Sequence, residues 1–160
     1  MGQGLCRCTS ALDDRAAAFD HHGPSSLECV MKEYNEIYST PGAFSWNELA
    51  TPDPQAACAF YGGLFGWRFE TMNMGQGDYH LIKLGETSIG GLMAPQGPQP
   101  AAWGPYMTVA DCDATVEKAK GLGATLCAGP FDIPNVGRMA VLQDPQGAVF
   151  QVISYPPMPA

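Results

Sequence analysis

Basic side chains are scarce in this chain. Its 160 residues carry 8 Lys and Arg against 16 Asp and Glu, a formal charge of −8, and the pI is near 4.6. A surface of that sign repels phosphate, which argues against nucleic acid and anionic membranes as partners. Charged residues of either sign make up only 15% of the chain while 46% is apolar, too few charges for a wholly disordered polymer and enough apolar material for a core. Long apolar runs are missing too. Nothing approaches the ~20 residues that cross a bilayer, and the N-terminus lacks the apolar stretch of a secretory signal. The expected compartment is the cytoplasm.

Cysteine is too sparse for a disulfide scaffold. Cys6, Cys8 and Cys29 fall early, and Cys58, Cys112 and Cys127 are scattered through the rest. Cys6, Cys8, His21, His22 and Cys29 can be drawn as a zinc site, but the paired C-x-x-C knuckles of structural zinc are absent. A loose tail is the simpler expectation for the first residues.

Residues 1–43 differ from the remainder of the chain. Within them, Ser25 and Glu28 form a capping-box signature, and Leu27, Val30, Met31, Tyr34, Ile37 and Tyr38 repeat at helical spacing. This predicts a short amphipathic helix over about 26–38, whose apolar stripe must cover the domain or a second subunit. From residue 44 the pattern is a strand over 44–51, then Asp53-Pro54 as cap and first turn of a helix. That helix carries Ala57, Phe60, Tyr61, Leu64 and Phe65 on one face and ends at Gly66. Strands over 68–72, 79–84 and 88–93 complete a β-α-β-β-β module. After the linker APQGPQPAAWG the order returns: a strand over 106–109, a helix capped near Asp111, and strands over 125–127, 138–142 and 149–154. Trp46 falls against Gly104 or Pro105, Phe65-Gly66 against Leu122-Gly123 and Leu84 against Leu142, all at an offset near 58. A nearly constant offset marks an internal duplication.

The segment ELATPDPQAACAFYGGLFGW and the closing LQDPQGAVFQV resemble the strand–turn–helix opening and final hairpin of the vicinal oxygen chelate superfamily, which includes glyoxalase I, bleomycin resistance proteins and extradiol dioxygenases. The resemblance implies an α+β domain over 44–155, with tandem β-α-β-β-β modules (44–94 and 103–155) and a short tail over 156–160. The sheets would curl into an open, cavity-containing mixed barrel with the helices outside. It also implies four metal-ligand positions, which fall here on Trp46, Gly91 (or Leu92), Gly104 and Gln151. Of these only Gln151 has an oxygen to offer, so no metal and no other cofactor is expected. His80 and Arg138, related by the same offset, are expected to turn away from the cavity, and Asp144 to cap a turn.

Alternation places Trp46, Glu48, Tyr106, Thr108, Met139, Val141 and Gln151 on the cavity wall, with Trp103 at its mouth. Aromatic walls around a few polar groups suit a small molecule, and a carboxylate among them suits a cation. Three functions remain open. One is a metal-independent small-molecule-binding protein for a cationic or aromatic ligand. Another is a lyase, isomerase or dioxygenase with a rearranged metal site. The third is a dimerisation or interaction module without catalysis. A homodimer is the expected assembly.

Overall fold

The computed structural model describes residues 36–73, 77–95 and 97–156. Most of the helix expected over about 26–38, the Cys/His cluster and most of both tails lie outside the described residues. Eight strands and two helices occur in the order β1 (Phe44–Ala50), α1 (Pro54–Phe65), β2 (Arg68–Asn73), β3 (Asp78–Leu84), β4 (Thr87–Met93), β5 (Ala102–Thr108), α2 (Cys112–Gly121), β6 (Thr125–Ile133), β7 (Gly137–Gln143) and β8 (Val149–Ser154). This is an α+β fold of two β-α-β-β-β modules in one curled sheet, ordered β2-β3-β4-β1-β5-β8-β7-β6. None of the described helices is long and apolar enough to cross a membrane.

The duplication is visible in the local chemistry. Asp53 caps α1 by accepting from the Ala56 amide at 2.9 Å, and Asp111 caps α2 by accepting from the Ala114 amide at the same distance. Each residue of the first cap lies 58 positions before its counterpart in the second. The modules meet where β1 runs antiparallel to β5, with Asn47 opposite Pro105, again 58 apart. A twofold relation between the modules therefore passes through that pair. Trp46 faces Tyr106 and Glu48 faces Gly104 on either side of it. Within each module the central strand also has a parallel neighbour, pairing Glu48 with Gly91 and Tyr106 with Gln151.

Two strands run further than their sequence suggests. β5 starts at Ala102, four residues before the expected start, because Pro105 reads as a strand breaker. Its parallel pairing to β8 covers only Tyr106 to Thr108, so Pro105 lies outside that register. β6 continues to Ile133 past a cis Gly129-Pro130 bond and two shifts of register, irregularities that a period-two pattern does not carry.

The two helices differ in what they cover. α2 seals the outer face of the second module, where Cys112 and Val116 are 1% exposed and pack with Ala140, Leu142 and Val152. Arg138 reaches the same helix and pairs with Asp113 and Asp132. α1 lies against β2 and buries no residue. The apolar face expected from Phe60 and Leu64 is an exposed one. Replacing Leu142, which is wholly buried in the second-module core, by Ala is expected to cost about 2–5 kcal/mol, read as a lowered midpoint in urea unfolding.

Candidate functional site

The inner surface of the sheet holds a cavity of about 300 Å³, walled by Trp46, Glu48, Tyr79, Leu81, Tyr106 and Ile153, among others. Three of these sit on the paired strands at the module junction. A bulge between Phe44 and Trp46 lets Ser45 meet the Tyr155 hydroxyl at 3.0 Å while Trp46 still faces inward. Tyr155 also meets Tyr38 in a T-shaped contact, with ring centres 5.2 Å apart. The segment before β1 thereby closes one side of the cavity.

Glu48 is the polar centre. The Tyr106 hydroxyl donates to its Oε1 at 3.1 Å, and these two residues are duplication equivalents that meet across the twofold. Trp46 Nε1 donates to the Tyr79 hydroxyl at 2.9 Å. An indole nitrogen can only donate, so Tyr79 is free to direct its own proton to Glu48, with which it is also hydrogen-bonded. Burial pushes the Glu48 carboxyl above its ordinary value, and the two phenol donors offset this only in part. The same burial, with the Glu48 charge nearby, pushes both phenols up, so they stay donors. Among the described residues no Lys, Arg or His forms an ion pair with Glu48.

Glycines clear the floor on both sides of this carboxylate. A Cβ on Gly91 would overlap the Tyr79 hydroxyl, and one on Gly104 would lie 2.7 Å from Gln151 Nε2. Thus the end of the Tyr79 ring fills the space over one glycine, and the Gln151 amide fills it over the other. The four ligand positions implied by the resemblance hold an indole, two glycines and this amide, a donor set unfit for a divalent metal. Among the described residues no group of three or more His, Cys, Asp or Glu lies together elsewhere.

The expected wall residues divide. Trp46, Glu48 and Tyr106 line the cavity. The others stand outside its wall. Thr108 is buried and spends its hydroxyl on the Ile37 carbonyl at 2.7 Å. Met139 is packed beneath Tyr106 with Ile153, and Val141 leans on that cluster. Gln151 has its Oε1 buried without a partner. Trp103 is not at the mouth: it is paired with Leu49 on the outer face and donates to the Tyr61 hydroxyl at 3.1 Å. His80 does turn away, buried with Nδ1 2.8 Å from the Thr71 hydroxyl, and Asp144 does cap its turn by accepting from the Gln146 and Ala148 amides. Tyr79, Leu81, Ile153 and Tyr155 are among the wall residues that sequence reasoning missed. Tyr79 was within reach, since an outward His80 makes its strand neighbours inward.

Comparison with known proteins defines the class. Residues 47–153 match the Glyoxalase-like domain family, and the chain belongs to it, within the vicinal oxygen chelate superfamily. Among relatives, the Mycobacterium tuberculosis protein named "Putative glyoxylase CFP32" is 44% identical over 123 residues, covering 76% of this chain and 47% of that protein. The anthracycline biosynthesis protein DnrV of Streptomyces peucetius is 35% identical over 132 residues, covering 70% and 46%. The chain thus spans about half the length of the curated relatives it matches. In fold it resembles methylmalonyl-CoA epimerase from Mycobacterium tuberculosis (TM-score 0.54, 16% identity, covering 74% of this chain and 93% of that one). It also resembles protein BH1468 from Bacillus halodurans (TM-score 0.56, 13% identity, covering 73% and 96%).

The raised Glu48 carboxyl has a consequence for stability. Between the unfolded and folded values the native state keeps a proton that the unfolded chain has lost, so stability falls as pH rises through that window. Above it, an ionised Glu48 is a net cost. Glu48→Gln is therefore expected to melt at the same or a higher temperature than the parent above that window, with the gap closing as pH falls below it. Thermal unfolding across pH checks this, and a variant that melts well below the parent at high pH contradicts it.

Proposed function

We propose that this domain is a metal-independent binding protein for a small aromatic ligand carrying a positive charge. The observation that carries the reading is a carboxylate inside an aromatic cavity with two phenol donors and, among the described residues, no cationic side chain paired with it. Burying such a charge is costly unless it is matched, and a bound cation supplies the match. The rings of Trp46, Tyr79 and Tyr106 add a favourable cation–π environment around the same point. A volume of about 300 Å³ is at the lower end for ligand sites and suits one or two fused rings. The Streptomyces relative's name refers to anthracycline biosynthesis, and an aromatic ligand here is in keeping with that chemistry. The cytoplasm remains the proposed compartment.

A second reading rests on the same carboxylate. A raised carboxyl in an apolar pocket is also suited to taking a proton from a bound substrate, and the glyoxylase name of the mycobacterial relative points towards an enzyme. A rearranged metal site has less support, because the donors it needs are not grouped around the cavity. A purely structural module leaves the unneutralised carboxylate without a purpose.

Calorimetric titration with matched one-ring compounds tests the proposal. The cationic member is expected to bind more tightly than its neutral and anionic analogues, and Glu48→Gln to weaken the cation by about 1–3 kcal/mol while sparing the neutral compound. Because the cation needs ionised Glu48, its affinity in the parent should fall as pH drops through the raised carboxyl value. Equal affinity across the series in both proteins overturns the reading. Proton exchange from a bound compound into solvent deuterium, abolished by Glu48→Gln, favours the enzymatic one.

A further inference from the structure

The two flanks of the domain meet at the wall of the Glu48 cavity. The family match covers residues 47–153, yet two wall residues, Tyr38 and Tyr155, lie outside that stretch. Tyr38 comes from the segment before β1 and Tyr155 from the residue after β8, and their rings make the T-shaped contact at 5.2 Å. Each is held from its own side. The Tyr155 hydroxyl is 3.0 Å from that of Ser45, which is 1% exposed on β1. The segment that carries Tyr38 is fastened to Thr108 at the end of β5. The Thr108 hydroxyl donates to the Ile37 carbonyl at 2.7 Å. The Gly42 amide donates to the Thr108 carbonyl at 2.8 Å, and the Thr108 amide to the Ala43 carbonyl at 2.9 Å. The turn between these anchors is tightened by the Ser39 and Thr40 hydroxyls, both donating to the Glu36 carbonyl. With its segment bonded on both sides, Tyr38 is half-buried and a fixed part of the wall.

We propose that Tyr38 is a specificity-determining residue that limits the size of aromatic ligand the Glu48 cavity accepts. The inference rests on the reading of that cavity as a site for an aromatic cation. Glu48 fixes the charged end of such a ligand, so its rings must fit between that point and the surrounding wall. The wall residues differ in how far they can yield. Met72 is 42% exposed and carries a flexible side chain that can move aside. The Tyr38 ring is backed by Tyr155, and Tyr155 by the buried Ser45, so displacing it breaks a chain of contacts running to the module seam. A rigid, backed ring discriminates by size where a flexible side chain adapts. Charge recognition and size selection are thereby separated. Glu48 stands within the family stretch, whereas the Tyr38–Tyr155 pair is added from its two flanks.

Calorimetric titration of the full chain with benzylammonium, naphthylmethylammonium and anthracenylmethylammonium, and with the corresponding neutral alcohols, tests the proposal. The parent is expected to prefer the one-ring and two-ring ions to the three-ring ion. Tyr38→Ala is expected to raise the affinity for the three-ring ion relative to the one-ring ion on the order of 10–100-fold, because the opened space lets further apolar surface be buried. The ratio of each cation to its alcohol should stay as in the parent. Tyr38→Phe keeps the ring and should restore the parent's order. Tyr38→Leu, shorter than the ring but still apolar, is the second variant should Tyr38→Ala fail to fold, and should shift the order in the same direction by a smaller factor. An unchanged size order in whichever of the two folds overturns the proposal, as does a Tyr38→Phe protein that behaves like Tyr38→Ala. Cations that bind the parent no more tightly than their alcohols overturn the reading of Glu48 instead, and the size order then still decides on Tyr38. If no compound binds the parent or any variant, both are overturned.

Discussion

The antiparallel seam between β1 and β5 is the constraint on which the rest of this molecule depends. Because the modules are copies and the seam is centred on Asn47 opposite Pro105, each residue of one strand meets the copy of its own near neighbour. Trp46 is brought to Tyr106 and Glu48 to Gly104, at the centre of an eight-stranded sheet. A shift of one residue would turn Glu48 to the outer face and Leu49, now buried, into the cavity. The hydrogen bond from Tyr106 to Glu48 depends on this register.

Around the seam, the inner surface is built by divergence between equivalents. Glu48 and Tyr106 occupy matching positions, yet one is a carboxylate and the other its donor. Gly91 and Gln151 stand at matching places on the parallel neighbours of β1 and β5; one leaves room for Tyr79, and the other fills the room left by Gly104. The result is an asymmetric site in a nearly symmetric frame. Its one carboxyl stands at a single point, with protons aimed at it from two phenols. Positions that the superfamily resemblance assigns to metal ligands here serve shape and hydrogen bonding.

The outer surface shows the same divergence in its helices. α2 buries Cys112 and Val116 in a core with β7 and β8, and the Arg138 ion pairs tie that helix to its sheet. α1 has matching cap chemistry but keeps its charge-free apolar stripe in the open. Equal local signals at the two N-caps thus lead to unequal packing, because capping fixes where a helix begins and says nothing of what covers it.

Most of the frame was legible in the sequence. The caps at Asp53 and Asp111, the turn at Asp144 and the alternation through Trp46 and Glu48 all lie in local patterns of one or two turns, and the duplication is those local patterns returning about 58 residues later. The same alternation turned His80 outward. The sequence was less informative where a strand contains Pro105 or Gly129-Pro130, since those residues speak against the pairing that neighbouring strands impose. Which inward residues reach the cavity was decided only by the tertiary structure. Thr108, Met139, Val141 and Gln151 share the inner side by periodicity, yet none is on the wall: Thr108 is bonded to the Ile37 carbonyl, Met139 and Val141 pack with Tyr106 and Ile153, and the Gln151 amide lies over Gly104. Tyr79 enters because Gly91, on the strand between it and Trp46, vacates the space its hydroxyl needs. Periodicity assigns a side chain to a face; only the packing of non-local neighbours decides how far along that face it extends and what it meets there.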